Sequence, residues 1–263
     1  MFGVSWHPHP DVWALILSLI LFFEIPGKGL KDLNLKRKYW YSGVLLLWVW
    51  TDWPLHDIGE QYLFSVHSVE HLVLALVAPP LLLMGLHKEQ KKIILTEKTV
   101  PVISTLSKPL VAFSMFNLII VGMHWSTIIN LMITSSLVHF ALHSLMLLVS
   151  LNMWIPVIGL DSRINQLSFP ARIGYLFGQS LLPTIPASFL VFSNVPIYKA
   201  YENIDQIYNI SALDDQSLAG LILKLGGGIF LWITILTIWM HWYKTEKKAS
   251  DYEKHIKRES MKS

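Results

Sequence analysis

Apolar residues along this chain come in long unbroken blocks rather than in stripes or alternations. Seven blocks can be read: Val12 to Ile25, Tyr39 to Trp53, Tyr62 to Leu86, Pro109 to Trp125, Asn130 to Trp154, Ile173 to Phe192 and Leu218 to Trp242. A helix of ~20 apolar residues matches the hydrocarbon core of a bilayer and satisfies its own backbone hydrogen bonds where there is no water. The pattern predicts an all-α polytopic membrane helix bundle of seven transmembrane helices. The first block is short for a span. Pro79-Pro80 interrupt the third block and Pro183 and Pro186 the sixth, each removing an intrahelical hydrogen bond. Pro156 is expected to close the fifth, and Gly226-Gly227-Gly228 lie mid-way along the seventh.

The polar segments between the blocks give an orientation. Lysine and arginine gather on the cytoplasmic side of membrane proteins. Here they cluster after the first block (Lys28, Lys31, Lys36, Arg37, Lys38), after the third (Lys88, Lys91, Lys92, Lys98, Lys108), after the fifth (Arg163, Arg172) and in the tail from Lys244 to Lys262. Nineteen of the 21 basic residues fall in these alternate segments. Seven crossings with the N-terminus outside and the C-terminus cytoplasmic explain the alternation. Residues 1–243 are then a transmembrane domain, and residues 244–263 a charged cytoplasmic tail, read as a helix end fraying in water. If the first block did not span, only the N-terminus would change sides. The start, Met1 to Trp6, has neither a basic stretch nor a small-residue cleavage motif, and does not read as a removable signal peptide. The longest outer loop, Ser193 to Gln216, carries Tyr198, Tyr201 and Tyr208 with Asp205, Asp214 and Asp215. Its tyrosines read as interface anchors.

Composition narrows the function classes. Of 263 residues, 53% are hydrophobic and 15% charged, against about 25% charged in an ordinary soluble domain. Mean hydropathy is +0.46. There is too little polar surface to cover a soluble core. There is no cysteine, which excludes disulfides, thiolate metal sites and CxxC redox chemistry. No P-loop, dinucleotide fingerprint or nucleophile elbow appears, and the chain does not read as an enzyme. The scattered basic residues suit anionic lipid headgroups rather than nucleic acid.

Ionisable side chains inside the apolar blocks are the candidates for chemistry, because burying them in hydrocarbon is costly. The third block holds His67, Glu70 and His71, the fifth His139 and His143, the fourth ends at His124, and the seventh carries Lys224. Each histidine pair is spaced i, i+4, which stacks two imidazoles on one helix face. Two such pairs facing each other would supply four nitrogens, a set suited to copper, zinc, iron or nickel. On one continuous helix Met132, His139, His143 and Met146 would fall within about 60°. Thioether plus imidazole favours copper(I), although ordinary packing is the simpler account of the methionines. Glu70 can orient a histidine, ligate, or pair with Lys224, and the sequence does not choose. His7, His9 and His56, with Asp52 and Asp57, read mainly as solvated loop residues, the sharper alternative being an entry site for an ion. His87, His241 and His255 carry no expected role. The late histidine pair is expected ~15 Å into its helix, deeper than His67, so the two pairs need not meet.

Ser65-Val66-His67-Ser68-Val69-Glu70-His71-Leu72, followed by Val77-Ala78-Pro79-Pro80-Leu81-Leu82-Leu83-Met84-Gly85, resembles the signature of the multi-pass CtaG-type cytochrome c oxidase assembly factors, the family named for the caa3-type oxidase. His139-Phe140-Ala141-Leu142-His143 resembles its second histidine pair. Pro196-Ile197-Tyr198 with Tyr201, and Asp215 to Leu221, resemble its late region. The likeness runs from about Trp53 to Gly228. It implies a non-enzymatic role in maturing a haem-copper oxidase at the cell membrane, with copper held or delivered through His67, His71, His139 and His143. It implies oxidase subunits as partners, and an outer-side copper carrier as a further one. The chain departs from the pattern at Leu223-Lys224, where Met-Trp is expected. A buried lysine opposes a nearby cation unless it is neutral or paired with Glu70. The competing readings are a haem-binding electron carrier, with histidines of two helices as axial ligands, a structural subunit whose histidines only pack helices, and a transporter with broken helices.

Overall fold

The computed structural model describes residues 6–30, 34–202 and 209–260. Tyr208, Asp205, Lys31, Lys262 and the segment Met1 to Ser5 lie outside the described residues. Helices and no strand occur among those described. Helix α1 (Pro10–Gly27) opens on proline and Asp11, a residue without an N–H and a carboxylate that complements the helix dipole. Helices α2 (Asn34–Thr51) and α3 (Leu55–Gln61) follow. Helix α4 (Phe64–Gly85) passes Pro79-Pro80 by widening into a π turn over Val73–Val77. The prolines cannot donate to the turn before them, and the wider turn absorbs the mismatch.

The short α5 (Lys88–Ile94) and α6 (Thr99–Leu106) precede α7 (Pro109–Met123) and α8 (Ser126–Thr134). Then come α9 (Ser136–Ile158), α10 (Phe169–Leu181), α11 (Thr184–Phe192) and α12 (Ala212–Ser260). Five stretches are helical, long and apolar enough to cross a membrane: α1, α4, α9, α10 with α11, and α12. There are six if α6 and α7, bent by 72° at their junction, form one span. Helix α2 falls outside this set; it carries Lys36, Arg37 and Lys38 close to its start.

The outward faces are apolar: Leu110, Leu118, Leu137, Phe189 and Phe192 are exposed, as lipid-facing positions are. Since lipid is as apolar as leucine, helix contacts depend on close packing and small residues. A Cβ on Gly85 would lie 2.7 Å from the Trp40 backbone nitrogen, so α2 crosses the end of α4 at near-backbone distance. One on Gly59 would lie 3.0 Å from the His67 nitrogen, which seats α3 against the start of α4.

Polar ties sort the helix ends into two groups. At one end His9 reaches Asp57, Tyr198 donates to the His124 carbonyl, Tyr201 donates to the Gly59 carbonyl, and His139 contacts Glu60. At the other Lys36 donates to the Met84 carbonyl, Lys91 to Leu160, Gln90 to Phe22, and Arg163 to Leu95.

Several expectations change. The fifth block is broken: Ser135 is extended (φ −145°, ψ 106°) and its hydroxyl accepts from the Val138 amide, capping α9. His139 therefore sits in the first turn of its helix, at the depth of His67, and the expected offset disappears. Met132 falls on α8, so the continuous Met-His-His-Met stripe does not exist. Pro156 lies inside α9 rather than closing it. The segment from Lys244 continues α12 as helix to Ser260. Tyr198 and Tyr201 are buried, and their hydroxyls brace His124 and α3 rather than anchoring at an interface.

Candidate metal centre

The site forms where α3, α4 and α9 meet, at the end of the bundle that holds His9. Helix α4 starts there because Asp215, buried at the start of α12, accepts the Phe64 amide at 2.7 Å, the Ser65 amide at 3.2 Å and the Ser65 hydroxyl. A carboxylate taking the free amides of a first turn is an N-cap, here supplied from 151 residues away in sequence. The i, i+4 spacing then places His67 and His71 side by side, with ring centroids 4.3 Å apart. His139 and His143 on α9 lie 4.2 Å apart by the same geometry.

The two pairs meet. His67 lies 5.7 Å from His139 and 5.5 Å from His143 by ring centroid. His67, His139 and His143 bring one ligand atom each to within 4.8 Å of one another. His71 is set behind this group, its Nε2 3.1 Å from the Nε2 of His143. His124, closing α7, lies beyond His71 at 5.4 Å, with Nδ1 held by the Ile120 carbonyl and Nε2 buried without a partner. Met146 is fully buried on α9, one turn beyond His143. Met132 is equally buried on α8.

Carboxylates fix the rings. Glu70 accepts from His56 Nδ1 at 3.0 Å and pairs with His143 Nδ1 at 3.2 Å, while His67 Nδ1 lies 3.7 Å away. Glu60 pairs with His139 Nδ1 at 3.1 Å and with His56 Nε2 at 3.8 Å. A histidine that donates Nδ1–H to a carboxylate keeps its lone pair on Nε2. That holds for His139 and His143, and it is the arrangement in which metal-bound histidines are oriented. His139 Nε2 and His67 Nδ1 are buried with no hydrogen-bond partner. Unpartnered imidazole nitrogens in a buried site, backed by carboxylates, fit a metal ion.

Lys224 does not pair with Glu70. It is half-buried, donates to Ser188 at 3.2 Å and sits 5.5 Å from the Phe192 ring centre. It lines a cavity of about 50 Å³ with His71, His124 and Gln179. His56 is the other correction, for it is buried in the cluster rather than solvated in a loop. Burial pushes its imidazole down, but Glu70, Glu60 and Asp57 outweigh that and raise it from 6.5 to about 9. Glu60, on the same short helix, is raised by burial and pulled down further by His139 and His56, with a net lowering. It was absent from the candidates read from sequence, although His56 and Glu60 repeat the i, i+4 spacing of the histidine pairs. His87 caps α5 and contacts the Phe23 carbonyl, a structural role.

No curated protein and no solved structure matches this chain. Residues 34–245 match the family model described as cytochrome c oxidase caa3 assembly factor (Caa3_CtaG).

Proposed function

We propose, from the premise that this chain belongs to the cytochrome c oxidase caa3 assembly factor family, that it holds copper on His67, His139 and His143 for a maturing haem-copper oxidase. Charge balance carries this reading. Glu70 and Asp57 are buried, Glu60 is largely so, and the ion pairs of all three among the described residues are with histidines alone. Among the described residues no lysine or arginine pairs with them, so the balancing positive charge is left to protons or a metal cation. An all-imidazole set suits copper as it suits zinc, iron or nickel, and the oxidase-assembly family is what favours copper among them. Glu70 orients His143, Glu60 orients His139, and His71 backs the group from behind.

Haem is the weaker reading. The histidine rings already touch, and the cavities beside them are about 50 and 90 Å³, whereas sites for molecules of drug size run to about 300–1,000 Å³. In this reading the protein lies in the cell membrane with seven crossings, α2 counted as one of them, and the N-terminus outside. The alternation of basic segments and the two groups of tied helix ends support that topology. The site then faces the outer side, where an oxidase's copper-bearing subunit and a copper carrier can reach it.

The test is copper analysis of purified protein after a chelator wash. Wild type is expected to retain equimolar copper, while His67→Ala and His139→Ala lose it. Equal retention in all three sinks the site as drawn.

A further inference from the structure

The buried group shares a histidine with a second one. His56, Glu60 and His139 also bring one ligand atom each to within 4.8 Å of one another. The difference in exposure lies in Glu60, whose side chain is 19% exposed, against 10% for His56 and 5–8% for His67, His139 and His143. A cavity of about 90 Å³ is lined by His9, His56, Glu60, His139 and His143, and so touches both groups. At the same end, His9 and His7 hold Asp57 at 2.8 and 3.0 Å, giving the approach a carboxylate ringed by imidazoles.

We infer that His56, Glu60 and His139 form a loading site, from which a copper(I) ion passes to His67, His139 and His143; on loading, His56 releases its Nε2 proton to water and offers that lone pair to the ion, while its Nδ1–H stays on Glu70. The inference rests on the reading that the buried group holds copper. The two ligand sets differ in the sense a transfer needs. An ion arriving from water loses its hydration shell in stages, and a partly exposed carboxylate eases the first stage, because stripping a charge of all solvent at once is costly. The buried set then holds the ion with three imidazoles, ligands that suit copper. His139 faces both groups, with Nδ1 3.1 Å from Glu60 and Nε2 buried without a partner. A neutral imidazole has one lone pair at a time. His139 therefore serves one group or the other, and the pair of sites holds a single ion that moves between them.

The experiment is anaerobic copper(I) loading of the purified full chain in detergent, followed by stopped flow, with a chromophoric chelator reading both uptake and release. Wild type is expected to bind equimolar copper. Glu60→Gln keeps an acceptor for His139 and loses the anionic ligand. Its uptake should slow about tenfold, more than its release of bound copper changes, because Glu60 ligates in the loading site and only orients His139 in the buried one. Glu60→Asp should restore most of the rate, which a merely structural role for Glu60 does not predict. His67→Gln should still bind equimolar copper but release it to chelator about tenfold faster. Uptake by Glu60→Gln at the wild-type rate, two ions per wild-type chain, or no binding by His67→Gln overturns the loading site. A wild type that binds no copper fails earlier, at the buried group itself.

Discussion

Glu70 accepts from His56, pairs with His143 and lies next to His67, all within one buried pocket of charge. Removing its negative charge while keeping its shape isolates what that charge does. Glu70→Gln is expected to weaken copper binding about 10- to 100-fold, read by competition with a copper(I) chelator. Unchanged affinity would mean that Glu70 only packs. His56 gives a signature in the metal-free protein. Its imidazole rises to about 9 in the folded chain from 6.5, so protonated His56 favours the folded state. That contribution is complete below pH 6.5 and is lost as pH rises through 9. The thermal midpoint of metal-free protein should therefore fall across that window, and His56→Gln should flatten the fall. At this scale the sequence showed the i, i+4 pairs of α4 and α9, because spacing along one helix fixes a shared face. Glu60 was missed because its helix is only seven residues long and lies between apolar blocks, where a carboxylate reads as loop.

The register of α4 depends on an element far away in sequence. Asp215 takes the free amides of Phe64 and Ser65, and the turn they open carries His67, Glu70 and His71. Asp215→Ala should cost about 1–2 kcal/mol, the scale of a lost helix cap, and Asp215→Asn less, since one acceptor remains. Denaturation in detergent checks the order. Retained copper should fall with Asp215→Ala even though it touches no ligand, and stability and copper equal to wild type would refute the bracing role. The Asp215 region stood out in sequence only by family likeness, because a cap that spans 151 residues leaves no local pattern. The break at Ser135 was equally hard to see. Thr134, Ser135 and Ser136 interrupt an apolar run by hydroxyls alone, and only the extended backbone at Ser135 reveals the start of α9.

The whole molecule sets which end of the bundle holds the site. The chain has no cysteine, so a single introduced thiol reports its own side. In intact cells a membrane-impermeant maleimide should label Asn194→Cys, in the loop before α12, and reach Ser250→Cys, in the continuation of α12, only after lysis. Labelling of both from one side would overturn the seven-crossing topology. Helix α1 lies before the matched residues 34–245, yet Val12 and Leu15 line the larger cavity with the histidines.

What the sequence determined by itself follows from rules that act locally. Apolar block length dictates helix where backbone groups have no water to bond, and i, i+4 spacing puts paired imidazoles on one face. Tertiary structure decided whatever depends on two segments meeting. It brought His67 to His139 and His143, drew His56 and Glu60 in from a connecting segment, sent Lys224 to Ser188 instead of Glu70, and turned two loop tyrosines into braces. The physical reason is that a buried charge is stabilised by partners arriving from other helices, and no spacing along one strip of chain specifies which helix will supply them.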